Sequence, residues 1–275
     1  MPWKYVLAGL AAVTLSSAAF AQVISHGTFF ISAFSSDVAV VAIDSRGTIK
    51  STGKRHINDR FCKIVPLAPS AFFFSAGVAT AFHPKTGKVV FDTRDIAKDV
   101  YADSGKSRDF AALADTWALR MEAVLRKIPA DPSLLKELVT RGYFVGTTDD
   151  GRIAAGAETI AYHPDGKSHF VHTPETIALT ASPRIEQPAD QPVTDIEREF
   201  SGGGQTDRAR KVMADNGWTK LGQGPDTLAV HLTNLVTAVR DWSGNDKIGG
   251  DIATIILERG KPWRWFHRPD FCPEK

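Results

Sequence analysis

GTFFISAFSSDVAVVAIDSR, from Gly27 to Arg46, and KIVPLAPSAFFFSAG, from Lys63 to Gly77, are the stretches on which the fold turns. In the first, Phe29 to Ala33 and Val38 to Ile43 are apolar and rich in β-branched residues, and Ser35-Ser36-Asp37 makes a short polar break between them. That pattern predicts a hairpin whose second strand is buried on both faces. In the second, Phe61 to Leu67 and Ala71 to Phe74 read as another strand pair, split by Pro66 and Pro69 and ended by Gly77. Between the two pairs lies a polar stretch, Arg46 to Arg60.

Beyond Gly77 the pattern changes period. Phe110, Leu113, Trp117, Met121, Val124 and Ile128 recur at steps of three and four, which makes Asp92 to Lys127 helical with one apolar, core-facing stripe. Gly142 to Gly146 and Ile153 to Tyr162 return to strand character around the Asp149-Asp150-Gly151 turn. Thr173 to Asp195 reads as a long irregular loop. Thr206 to Asn216 and Pro225 to Trp242 are predicted helices, and Ile252 to Leu257 with Trp263 to His267 a closing strand pair. Runs of strands separated by runs of helices predict an α+β fold with helices outside packed sheets.

Four short pieces carry a resemblance. Gly27-Thr28, Ile43-Asp44-Ser45-Arg46, Lys63-Ile64 and Ser75-Ala76-Gly77 stand in the order found at the start of proteasome β subunits and of the related bacterial peptidase subunit that works with an unfoldase. Thr28 to Asp44 spans 16 positions and Lys63 to Gly77 spans 14, both without a gap against that family. Between Asp44 and Lys63 the chain is longer by about three residues, an insertion a surface loop absorbs. The resemblance covers some fifty residues well and the remainder coarsely. It implies a four-layer αββα sandwich of the N-terminal-nucleophile (Ntn) hydrolase type, with residues 28–275 as a single domain. It also implies a threonine-type peptidase or amidohydrolase acting on a peptide or small amide substrate, with no cofactor or metal.

The same resemblance gives each residue a role that the chemistry supports. A threonine hydroxyl is a weak nucleophile at neutral pH and needs a base. As residue one, Thr28 would supply that base as its own α-amine, whose ordinary pKa is about 7.7–8.0. The Lys63 ammonium beside that amine would lower its proton affinity, and Asp44 would keep Lys63 charged and aimed. The Gly77 backbone N–H would face the substrate carbonyl as an oxyanion donor. Ser201-Gly202 resembles a supporting Ser-Gly of the family. The family's Asp before its Gly-Gly falls on Asn245, with Asp246 one place off, and its Ser falls on Ile248.

The first 21 residues read as a secretory signal, with Lys4, an apolar core from Val6 to Val13 and Ala19-Phe20-Ala21 before Gln22. Residues 22–27 are then a short pro-segment, and the protein is expected to be secreted or periplasmic. An active Thr28 requires a second cut at Gly27-Thr28. Keeping the six residues would instead make a non-catalytic proteasome-fold binding or scaffold protein. Export argues against an ATP-driven unfoldase partner and leaves homo-oligomerisation open. Polar His83 to Lys88 also interrupts the family's first helix.

Charge excludes other classes. The formal net charge of +2 becomes +1 without Lys4, leaving 32 basic against 31 acidic residues, which gives no electrostatic case for nucleic acid or an anionic membrane. His169 and His172 sit three apart on an expected strand, facing opposite ways, which disfavours a shared metal. Ser201 to Gly204 lacks the Gly-Lys-Ser/Thr of a phosphate loop. Cys62 and Cys272 either pair in an oxidising compartment or stand as separate buried thiols. Alternation turns Cys62 away from the face of Lys63.

Overall fold

The computed structural model of the chain describes residues 22–24, 29–51, 54–82, 86, 88–127, 139–163, 169–175, 211, 215, 224–241 and 248–274. In chain order its strands and helices are β1 (Gln22–Ile24), β2 (Phe30–Phe34), β3 (Val38–Asp44), β4 (Gly47–Ser51), β5 (Lys54–Asn58), β6 (Ile64–Ala68), β7 (Ala71–Gly77), β8 (Thr80–Phe82), β9 (Val89–Asp92), α1 (Thr93–Asp103) and α2 (Phe110–Leu125). Then come β10 (Val139–Thr147), β11 (Ile153–His163), β12 (His169–Glu175), α3 (Pro225–Asp241), β13 (Ile252–Glu258) and β14 (Arg264–His267). The architecture is mixed α+β, with antiparallel sheets.

Both predicted hairpins form. In the first sheet, ordered β14-β13-β3-β2, β3 is buried from Ala39 to Asp44 because both faces are covered. Val41 and Ile43 point into one apolar cluster with Phe30, Phe72, Phe74, Tyr143, Ile255 and Leu257. Val40 and Ala42 point into another, with Phe29, Ile31, Ile256 and the α3 residues Leu232, Val236 and Val239. That is the period-two signature of a strand with no solvent face. The second sheet, ordered β12-β11-β10-β7-β6, splits in the same way. Phe72 and Phe74 face the first sheet, where Phe74 meets Phe30 at 5.3 Å; Phe74 also stacks at 4.4 Å on Tyr143 of the adjoining β10, while Phe73 packs against Trp117.

The stripe on α2 is the packing face: Phe110, Leu113, Trp117 and Met121 are buried against Phe73, Phe144 and Ile160. The helix lies so close that a Cβ on Gly156 would stand 2.1 Å from the Phe110 carbonyl oxygen. Asp92 and Asp109 cap α1 and α2 by accepting from Arg94 and Ala112 backbone N–H groups.

Several features depart from expectation. The helical stretch is two helices, because Gly105 and Lys106 take left-handed conformations at φ 67° and 65° and turn the chain between them. The polar stretch Arg46 to Arg60 contains the hairpin β4–β5, part of a third sheet ordered β5-β4-β1-β8-β9. At its centre is β1, pairing Val23 with Lys50 on one side and Ala81 on the other. The start of the expected loop Thr173–Asp195 is strand instead, because Thr173 to Glu175 pair with Thr159 to Ala157 at the end of β12; the rest of that loop, most of the expected helix Thr206–Asn216 and the leader lie outside the described residues. No described helix is long and apolar enough to cross a membrane.

Candidate functional site

Asp44 closes β3 at the point where β2 begins beside it. The two strands are joined there by Asp44 N–H donating to the Phe29 carbonyl at 3.1 Å, while Phe29 N–H donates to Asp44 Oδ1 at 2.9 Å. Lys63 reaches the same carboxylate from the second sheet, its Nζ 2.8 Å from Asp44 Oδ1. Asp44 is 0% exposed and Lys63 1%, so this ion pair is withdrawn from water. The far oxygen, Asp44 Oδ2, accepts from the Gly249 and Arg46 backbone N–H groups, each at 3.3 Å. A carboxylate offers about four acceptor positions, and here all four are used.

Burial pushes the Asp44 carboxyl above its ordinary pKa. The Lys63 charge and hydrogen bond, and the N–H groups of Phe29 and Gly249, oppose that rise. Burial likewise pushes the Lys63 ammonium down, opposed by the charge and hydrogen bond of Asp44. Each group therefore depends on the other to stay ionised, and removing either leaves an uncompensated buried charge.

The two ends are stitched together below the β4–β5 hairpin. Ser45 Oγ donates to the Asp59 carbonyl at 2.6 Å, and the Phe61 N–H to the Ser45 carbonyl at 3.1 Å. Arg46 grips the Asp59 carboxylate through Nε at 2.6 Å and Nη2 at 2.9 Å. From Phe61 the chain runs straight into Lys63 and β6, where the Lys63 carbonyl accepts from Ser75 N–H at 3.2 Å.

That last bond orients Gly77. Ser75 N–H points to the β6 edge of β7, so alternation turns the Gly77 N–H to the same edge, beyond the end of the β6 ladder. Val78 N–H points the other way, to the Val139 carbonyl at 2.9 Å. Gly77 itself has φ +81°, and a Cβ there would stand 2.2 Å from the Val139 oxygen, so only glycine fits.

Of the six residues singled out from sequence, Asp44 and Lys63 are in direct contact, and Gly77 lies on the strand beside Lys63. Thr28, Ser201 and Asp246 lie outside the described residues. Phe29, whose N–H holds Asp44, is one peptide bond from Thr28. Ile248, at the family's serine position, is buried in the α3 core. The sequence reading missed the Arg46–Asp59 fork, the Gly249 N–H on Asp44 and the role of Arg94. Arg94 Nη1 donates to the Cys62 carbonyl at 2.7 Å, Nε to Asp92 Oδ1 at 2.9 Å, and its guanidinium lies 4.3 Å over the Phe61 ring. Cys62 and Cys272 are joined by a disulfide across a sequence separation of 210.

Among the described residues no group of His, Cys, Asp or Glu is arranged to hold a metal ion. Comparison with protein-family models gave no match, and a search of curated proteins gave none.

Proposed function

We propose that the chain is an exported, proteasome-like Ntn hydrolase that cleaves the amide bonds of peptides, with Thr28 as nucleophile. The observation that carries this reading is the buried Asp44–Lys63 pair, hydrogen-bonded to the N–H of the residue that follows Thr28. A lysine is seldom buried so fully unless paired. The packing supports the same reading. With α3 on the outer face of the first sheet and α1 and α2 on the outer face of the second, the layers read as a four-layer αββα sandwich. The Cys62–Cys272 disulfide supports a secreted or periplasmic home, since such bonds persist in oxidising compartments.

In this mechanism Thr28 Oγ1 attacks the scissile carbonyl carbon and its proton passes to the free α-amine of Thr28. The Lys63 ammonium keeps that amine unprotonated beforehand, and Asp44 keeps Lys63 charged. The Gly77 N–H donates to the developing oxyanion, an interaction worth about 3 kcal/mol. The amine then returns its proton to the leaving nitrogen, and water releases the acyl group from Thr28. Ser201 and Asp246 stand in for the family's supporting residues in an altered network, since Asp246 is one place off the family's Asp and the family's Ser position holds Ile248. Strand β1 favours a peptide substrate: Gln22–Ile24, upstream of the Gly27-Thr28 bond, are held extended, with backbone pairing on both sides.

That same strand favours one second reading, a non-catalytic binding or scaffold protein that keeps its N-terminal extension as part of the third sheet. The mature N-terminus separates the two. Mass spectrometry of the native protein should find Thr28 first, and a chain beginning at Gln22 would overturn the hydrolase reading. Thr28→Ala should abolish the cut at Gly27-Thr28; continued processing of that variant would refute autocatalysis.

A further inference from the structure

Three consecutive side chains in the link between β5 and β6 take three different partners. Phe61 lies under the Arg94 guanidinium, Cys62 is bonded to Cys272, and Lys63 reaches Asp44. The Lys63 ammonium is 1% exposed, so water competes for it and favours any motion that swings the link outward. The link lies ahead of the β6 ladder, which begins at Ile64, and one backbone bond ties each of its residues: Phe61 N–H to the Ser45 carbonyl, Arg94 Nη1 to the Cys62 carbonyl and Ser75 N–H to the Lys63 carbonyl. Rotation of the link about its own axis would carry Cys62 and Lys63 together, since neighbouring side chains project to opposite sides. A covalent bond at Cys62 therefore adds to these single hydrogen bonds a restraint on the direction of Lys63 that solvent cannot exchange.

The other end of that bond is well anchored. Cys272 N–H donates to the Pro269 carbonyl at 3.0 Å, Arg268 Nη1 to the Cys272 carbonyl at 2.9 Å, and Trp265 Nε1 to the Pro273 carbonyl at 3.0 Å. Further contacts between the two segments lie at the surface: the Arg60–Asp270 ion pair at 2.9 Å, both partners more than half exposed, and Arg60 over the Phe271 ring. Exposed pairs of this kind hold little. The disulfide, with cysteines 5% and 3% exposed, is the part of the clamp that holds.

We propose that the Cys62–Cys272 disulfide is a positioning device for Lys63, which makes the Thr28 chemistry dependent on oxidation after export. The proposal rests on the hydrolase reading given above. Cys62 and Cys272 touch no reacting atom; they act through Lys63. Forming the bond removes two electrons and two protons from the thiols. With glutathione disulfide as oxidant, these convert it to two molecules of glutathione.

The test uses the full chain made by cell-free translation under dithiothreitol, then divided. One part stays reduced, a second is oxidised with glutathione disulfide, and a third is treated with diiodomethane. In the third, each thiolate displaces one iodide, leaving a non-reducible S–CH2–S bridge. Mass spectrometry follows the appearance of the Thr28 terminus, and hydrogen exchange follows the amides of residues 61–64, β10 and β13. Processing should be at least about tenfold slower in the reduced part and recover in the bridged part with dithiothreitol still present. Amides 61–64 should lose protection on reduction while β10 and β13 keep theirs. Reduced and oxidised rates within about twofold, or protection lost equally in all three regions, would overturn the proposal. If no part is processed, the hydrolase reading fails, and exchange alone decides the clamp: loss confined to 61–64 supports it, and unchanged protection there refutes it.

Discussion

Replacing Lys63 by Met keeps the volume of the side chain and removes its charge. The Asp44 carboxylate, 0% exposed, would then keep three backbone donors, from Phe29, Arg46 and Gly249, and no counter-charge. Breaking a fully buried pair from one side costs about 3–5 kcal/mol. Asp44→Asn should cost a similar amount, by stranding the ammonium instead. The double variant Asp44→Asn/Lys63→Met strands no charge, so it should be no less stable than either single variant. The coupling energy is then about 3 kcal/mol or more, a sizeable part of the about 5–15 kcal/mol that holds most domains folded. Urea unfolding of the four proteins at neutral pH, with the disulfide intact, measures each corner of the cycle. Effects that add to within about 0.5 kcal/mol would mean that the two groups do not depend on each other, and the reasoning about the site would fall.

Other outcomes follow from neighbouring features. Gly77→Ala should destabilise the protein by about 2 kcal/mol or more, because φ +81° and the 2.2 Å approach to the Val139 oxygen both oppose a side chain; a midpoint unchanged in urea would contradict this. Burial alone would raise the Asp92 carboxyl, but Arg94 outweighs it and holds the group below its ordinary 3.8. Its contribution is therefore complete above about pH 4 and lost as pH falls through the lower native value, so Asp92→Asn should flatten the acid side of a stability–pH curve. Full reduction frees a loop of 210 residues, and chain entropy sets the loss at roughly 5 kcal/mol; denaturation with and without dithiothreitol measures it.

The hairpins on either side of the site were legible because they are dense in apolar residues at adjoining positions, and a strand covered on both faces leaves that mark. The β4–β5 hairpin left none: Gly47 to Asn58 contains Lys50, Lys54, Arg55 and His56, and what holds it in a sheet is backbone pairing to β1 and within the hairpin. The break between α1 and α2 depended on two left-handed residues at Gly105 and Lys106, the second of which carries no glycine signal. Within the site, the contact between Asp44 and Lys63 was suggested by resemblance, since nothing in a 19-residue separation requires it. The Gly249 N–H is a backbone donor 205 positions from its acceptor, which no side-chain pattern reveals. Arg94 reaches the carbonyl of a residue 32 positions earlier, and nothing in the sequence singles it out.

The bond between Cys62 and Cys272 also turns most of the polypeptide into a closed ring. A protease that nicks the backbone anywhere inside that ring opens it without releasing a fragment, so β13 and β14 stay tethered to the strands they pair with. Wherever foreign proteases are part of the surroundings, such a molecule would survive a cut as a two-chain protein. On a denaturing gel the damage would emerge as two bands after a thiol reagent is added, and as one without it.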